Sequence, residues 1–335
     1  MEASSRTRRQ SLALLAAGLA APQIARAADL APAAPPLDNS LPESQFTPED
    51  VSTSLAGMED ALRRLTAPVM INGMGPFDFV VDTGTNRSVI SDEVASALSL
   101  PAGKSVHLHG IAGEREAPTA ILDRFQVGER VASHVSLPVL SMGPLRCAGI
   151  LGVDGLKSQR VVLDLRQQRL QIEPSGKRPT GFGASVVKAR NMFGQLTLVD
   201  TDLDGIRVSV LIDTGSEITI GNTMLRGALD HRRRDPALLQ KVTLQGATGE
   251  TTTGDYGGLP NFRIGTLRVG NLRVVYSDLH PFEIWGLADK PAVLMGMDLI
   301  RFFDQVSLDY GRNEVRFTLP KQPFIDPAGD VVRRY

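Results

Sequence analysis

Phe79-Val80-Val81-Asp82-Thr83-Gly84-Thr85 and Val210-Leu211-Ile212-Asp213-Thr214-Gly215-Ser216 carry one message twice. In each, an apolar run predicts a buried strand, and Asp-Thr-Gly predicts a tight turn at its end. Each turn presents one carboxylate. Two carboxylates brought together cannot both stay charged, so they keep one proton between them. Such a pair can activate a water and protonate a leaving nitrogen, which suffices to hydrolyse an amide without a metal. Fold and function both hang on whether the two turns face each other.

Outward from these turns the repeat continues. Val106-His107-Leu108-His109-Gly110-Ile111-Ala112-Gly113-Glu114 matches Val242-Thr243-Leu244-Gln245-Gly246-Ala247-Thr248-Gly249-Glu250. Both read as an alternating strand running into a glycine-turned hairpin. Phe125-Gln126-Val127-Gly128 and Phe262-Arg263-Ile264-Gly265 then predict strands turned by glycine. Ile150-Leu151-Gly152 and Leu294-Met295-Gly296 follow. Val162-Leu163-Asp164 and Ser307-Leu308-Asp309 open the closing strands. The order is the same in both halves, and Asp82 and Asp213 are 131 residues apart. The spacing from Asp to the later Gly is 70 residues in the first half and 83 in the second, where Asp230–Lys241 reads as an insertion. Its Arg232-Arg233-Arg234 reads as a solvated surface.

The expected fold is mostly β: two homologous closed β-barrel lobes related by a pseudo-twofold axis, with few short helices. The lobes are expected over 62–178 and 179–335. Short helices are expected at Ser91–Leu98, Asp154–Ser158 and Asp298–Phe303, and within Glu49–Leu65. Asp154, Asp298, Asp164 and Asp309 recur in the repeat and read as turn or helix-start residues.

Before the lobes, Arg8-Arg9 precede the apolar run Leu12–Ala21, and Ala25-Arg26-Ala27 offers small residues to an export peptidase. Residues 1–27 are therefore expected to be a twin-arginine-like signal peptide, cleaved after Ala27, delivering a periplasmic or secreted protein without stable membrane insertion. The Pro- and Ala-rich stretch 28–61 reads as a linker or arm. A net charge of −1 gives no reason to expect nucleic acid as a partner. Cys147 is the one cysteine, so no intrachain disulfide forms, and it reads as a small buried hydrophobe. With no Cys-x-x-Cys and no His-Glu-x-x-His, neither a metal nor a cofactor is expected.

Around each Asp the sequence offers a turn glycine and hydroxyls: Thr83, Gly84 and Thr85, then Thr214, Gly215 and Ser216. The hydroxyls of Thr83 and Thr85 are expected to hold the first carboxylate in plane, and Thr214 and Ser216 repeat the set. The hairpins tipped by Gly110, Gly113, Gly246 and Gly249 read as flaps that close over an extended peptide.

These motifs resemble the retropepsin-like aspartic proteases, above all exported bacterial members with a duplicated domain in one chain, arranged as in the bilobal pepsin-like enzymes. The resemblance spans nearly all of residues 62–320. It implies an aspartic endopeptidase in which Asp82 and Asp213 bind the catalytic water. It also implies that Thr83 and Thr214 lock the two loops together, and that Gly152 and Gly296 pack beneath them. The flap tyrosine of the pepsin-like enzymes has no counterpart near either hairpin tip. A polypeptide substrate and a monomer are expected, since one chain holds both half-sites. Two other readings use the same residues: a peptide-binding module with weak or lost catalysis, and a purely structural exported β-protein.

Overall fold

The computed structural model describes residues 46–47, 51–60, 64–154, 159–176, 184–192, 195–231, 239–270, 272–320 and 331–334. The leader and most of the Pro-rich arm lie outside these residues, as do 155–158, where a helix is expected, and the three arginines at 232–234.

Strands dominate because apolar and β-branched residues alternate over short runs broken by turn residues. In the first lobe six strands close into a barrel. Their order is Leu65–Ile71, Met74–Val81, Gly149–Leu151, Val89–Ser91, Arg130–Leu140 and Thr119–Val127, the last pairing back onto the first. Phe79, Ile71, Phe125 and Leu122 fill its interior and are fully buried. Phe79-Val80-Val81 is apolar throughout because this strand is covered on both faces.

The second lobe repeats the order through Ser209–Ile212, Ala292–Met295, Ile220–Gly221, Leu272–Tyr276 and Thr251–Leu259. Its outer strands are interrupted, so Thr201–Leu203 pairs with Phe262–Ile264 in a separate five-stranded sheet. That pairing stands where the first lobe joins Leu65–Ile71 to Thr119–Val127.

Six successive strands of a thirteen-stranded sheet join the lobes: Thr53–Ala56, Arg169–Pro174, Gln159–Asp164, Gln305–Asp309, Glu314–Thr318 and Ala184–Met192. Their central register locates the symmetry axis. Val162 and Ser307, equivalent in the repeat, pair with each other; Leu163 pairs with Val306 and Val161 with Leu308. A strand pairing antiparallel with its own repeat is a local twofold, and it runs directly through the lobe junction.

Among the described residues there are five short helices. Two are equivalent and share a capping device. Ser91 caps Asp92–Ala97 by accepting from the Val94 N–H at 3.2 Å, and Asn222 caps Thr223–Asp230 by accepting from the Leu225 N–H at 2.9 Å. The helix expected at Asp298–Phe303 is Met297–Ile300. The helix expected within Glu49–Leu65 is not formed by the described residues there. Thr53–Ala56 and Met58–Glu59 are strands, the first recruited by Arg169–Pro174, distant in sequence, and the second by the nearby start of Leu65–Ile71. Phe46, in the stretch read as an arm, is buried against Phe125. No helix among the described residues is long and apolar enough to cross a membrane.

Candidate active site

Each Asp-Thr-Gly turn is placed by a parallel strand pair. Val81 pairs with Leu151 and Ile212 with Met295. The same ladder ends on the two aspartates: the Asp82 N–H donates to Leu151 O at 3.0 Å, and the Asp213 N–H to Met295 O at 2.9 Å. One residue later come Gly152 and Gly296. A Cβ on Gly152 would stand 2.5 Å from the carbonyl carbon of Arg87, and one on Gly296 would stand 2.4 Å from that of Ile218. Only glycine lets the strand end pass beneath the loop at that distance.

The two turns meet. The Thr83 N–H donates to Thr214 Oγ1 at 3.0 Å, and the Thr214 N–H donates to Thr83 Oγ1 at 3.2 Å. Each hydroxyl then donates across the axis: Thr83 Oγ1 to Ile212 O at 2.8 Å, and Thr214 Oγ1 to Val81 O at 2.6 Å. All these groups are buried, so each bond also prevents an unsatisfied polar group. The glycines complete the contact. A Cβ on Gly84 would lie 2.5 Å from Asp213 Cγ, and one on Gly215 would lie 2.3 Å from Asp82 Oδ2.

The Asp82 and Asp213 carboxyls are hydrogen-bonded to each other. Backbone N–H groups hold each one: Gly84 to Asp82 Oδ1 at 2.7 Å, and Gly215 and Ser216 to Asp213 Oδ1 at 2.9 and 3.2 Å. Removal from bulk water raises both carboxyls above the usual carboxylate range. Asp213 is raised further, because the Asp82 charge and their shared hydrogen bond also favour its protonated form. Asp82 is held back by accepting from Asp213, by the Gly84 N–H and by the Arg64 charge. The pair therefore retains one proton, shared between the two carboxyls. The buried Tyr310 phenol is pushed up by desolvation and by the Asp82 charge.

The hydroxyls expected to hold the carboxylates do other work. Thr85 Oγ1 donates to Arg87 O at 3.3 Å and Ser216 Oγ to Ile218 O at 2.8 Å, each closing its own loop. Thr83 and Thr214 spend theirs across the axis, leaving the backbone to orient the acids.

A second pair of bracing groups went unread in the sequence. Ser88 and Thr219 lie six residues after their aspartates. The Ser88 N–H and hydroxyl both donate to Asp154 Oδ1, at 3.0 and 2.8 Å, while its oxygen accepts from the Gly152 N–H. Thr219 repeats this with Asp298 at 2.9 and 2.6 Å and with the Gly296 N–H. Asp154 and Asp298 therefore tie each loop to the segment beneath it. A hydroxyl at the same place in both repeats was the available signal. Asp164 and Asp309, read as turn or helix-start residues, are the last residues of their strands, and each accepts from an N–H of the turn that follows, Gln167 and Arg312. Cys147 is half-buried, its thiol donating to Gly149 O at 3.1 Å, and desolvation pushes it up.

Above the carboxyls lies a cleft of about 460 Å³, roofed by the two glycine-tipped hairpins. Val106–Gly110 pairs with Gly113–Ala117, and Gln240–Gln245 with Thr251–Leu259. The tips cross. Ile111 packs against the second-lobe cluster of Leu279, Phe282 and Trp285 and accepts the His280 N–H at 2.9 Å. Ala247 packs against the first-lobe cluster of Val89, Leu140 and Ile150. Arg115 donates to Thr248 O from one hairpin to the other. His109 meets His280 at 3.1 Å, and His280 reaches Glu283 at 3.0 Å. Gly110 and Gly246 are small because the tips touch. A Cβ on Gly246 would press on Ile111 at 2.9 Å, and one on Gly110 would collide with Glu250 and Thr248. Gly113 and Gly249 turn their hairpins at φ 143 and 94.

A family model described as aspartyl protease matches residues 67–154 and 199–299, together more than half of the chain, with one match on each lobe. No curated protein sequence matches the chain. Among solved structures, basic 7S globulin from soybean is similar over 81% of this chain and 95% of its own, at 12% identity and a TM-score of 0.46.

Proposed function

The chain belongs to the aspartyl protease family in its retropepsin-like form, and from that premise we propose that it is an exported endopeptidase that cleaves polypeptide with a proton-sharing pair, Asp82 and Asp213. The observation that carries this reading is the hydrogen-bonded carboxyl pair at the floor of a flap-roofed cleft. In the proposed cycle a water sits between the two acids. Ionised Asp82 takes its proton as the oxygen attacks the scissile carbonyl. Protonated Asp213 donates to the carbonyl oxygen, and the tetrahedral intermediate collapses as the leaving nitrogen receives a proton from the pair. No covalent enzyme intermediate forms, and the chemistry asks for no cofactor. The hairpins would align the peptide as an added strand through backbone hydrogen bonds. Export rests on the leader residues Arg8, Arg9 and Ala25-Arg26-Ala27. A monomer is the proposed working unit, because both half-sites lie in one chain.

The test is incubation of the purified protein with a mixed peptide library from acidic to neutral pH, reading new termini by mass spectrometry. Cleavage abolished by a peptide isostere with a hydroxyl in place of the hydrated carbonyl is the expected result. Binding of that isostere without any cleavage would leave only a peptide-binding module.

A further inference from the structure

The two sides of the cleft share one apolar frame. Val89, Leu108 and Ile150 line the first-lobe side, and Ile220, Leu244 and Leu294 line the second. They are equivalent by pairing: Ile150 faces Val89 across its ladder as Leu294 faces Ile220. Beyond this frame the sides diverge. The second-lobe side is extended by Leu279 and Trp285, both buried, giving a deep apolar and aromatic wall. The first-lobe side is extended by two arginines, Arg64 and Arg146.

The arginines differ in what answers their charge. Arg64 is buried and engaged: Nε and Nη2 lie 2.7 Å from Asp60 Oδ2, and Nη2 donates to Leu145 O. Arg146 is exposed on the cleft and has no ion pair among the described residues. It is held in place by its backbone. It ends the Met142–Leu145 helix at φ 57, donating its N–H to Met142 O at 2.7 Å. A left-handed residue is a common way to close a helix, and here it fixes the backbone from which the Arg146 side chain leaves. On the opposite side, Glu217 is exposed and lines the same cleft. The cleft is thus polarised, with a cation on the first-lobe side and an anion on the second.

Resting on the protease reading, we infer that the cleft selects peptides with a large apolar or aromatic side chain on one side of the scissile bond and an acidic side chain on the other. Arg146 reads the acid. Glu217 repels an acid from the apolar side and so fixes the direction in which the peptide lies. An exposed charge pair contributes up to about 1 kcal/mol, so the expected preference for acidic over basic residues is about fivefold.

The test is a positional-scanning peptide library cleaved by the parent, Arg146→Glu, Arg146→Lys and Asp82→Asn. The readout is the ratio of cleavage rates for Asp or Glu against Lys or Arg beside the scissile bond. The expected result is an acidic preference in the parent, kept in Arg146→Lys and reversed in Arg146→Glu. Cleavage by the parent that Asp82→Asn abolishes, with no acidic preference or with one unmoved by Arg146→Glu, overturns this inference and leaves the protease reading standing. Absence of any cleavage by the parent removes both.

Discussion

Asp213 and Asp82 occupy equivalent turns and are both raised above the usual carboxylate range, with a measurable consequence. Asp213 is raised well above the usual carboxylate range, first by desolvation and then by its neighbour's charge. A carboxyl raised in the folded state contributes stability fully below its unfolded pKa, near about 4. That contribution is lost as pH climbs through the folded pKa. At neutral pH the fold therefore carries a penalty at this site. Asp213→Asn removes the ionisation while keeping the shape, so its Tm should exceed the parent's at neutral pH, with the gap closing below about pH 4. Thermal unfolding across pH checks this; a variant less stable than the parent at neutral pH contradicts the raised carboxyl. Activity carries the same sign. The pair works with one proton, so cleavage should fall as pH rises past the point where Asp213 ionises. Much of this was legible in the sequence: two Asp-Thr-Gly turns within one repeat already placed Asp82, Asp213, Thr83 and Thr214 as equivalent groups. The path of each hydroxyl was not legible, because Thr85 and Ser216 are equally able to face a carboxylate or close their own loop, and only the backbone decides.

The paired turns hold together through Thr83 and Thr214, whose bonds cross the symmetry axis in both directions. Thr214→Val keeps the volume but strands the Thr83 N–H and the Val81 carbonyl in a buried setting. An unsatisfied buried group costs about 1–3 kcal/mol, so chemical denaturation should show a loss of that size. Cleavage should fall with it, since the two carboxyls lose their mutual registration. Equal stability of the variant and the parent would mean the threonine contact is incidental. Beneath each turn, Ser88 with Asp154 and Thr219 with Asp298 make a second tie that motif reading passed over. A short Asp at a helix start is so often only a cap that its longer reach, across 66 and 79 residues, gives no local signature. The hairpins teach a similar lesson. Their glycines predicted a turn correctly, but at Gly110 and Gly246 the requirement is close approach of two tips, a contact between segments far apart in sequence.

The lobes are joined by a sheet whose central pair, Val162 with Ser307, is the repeat meeting itself. Neither lobe can leave without exposing strands of that sheet, so calorimetry should record one cooperative unfolding transition. Two resolved transitions would show that the lobes are independent. Repeat order made the two-lobe plan readable, whereas the strand at Thr53–Ala56 escaped because its partner lies more than a hundred residues away. The proposed cleavage requires that the two lobes supply one shared acid–base pair. The direct measurement is kcat/KM on one cleaved peptide for the parent, Asp82→Asn and Asp213→Asn at acidic pH. General acid–base catalysis contributes about 10²–10⁴-fold, so both variants should lose at least about a hundredfold. Either variant cleaving as well as the parent would contradict it.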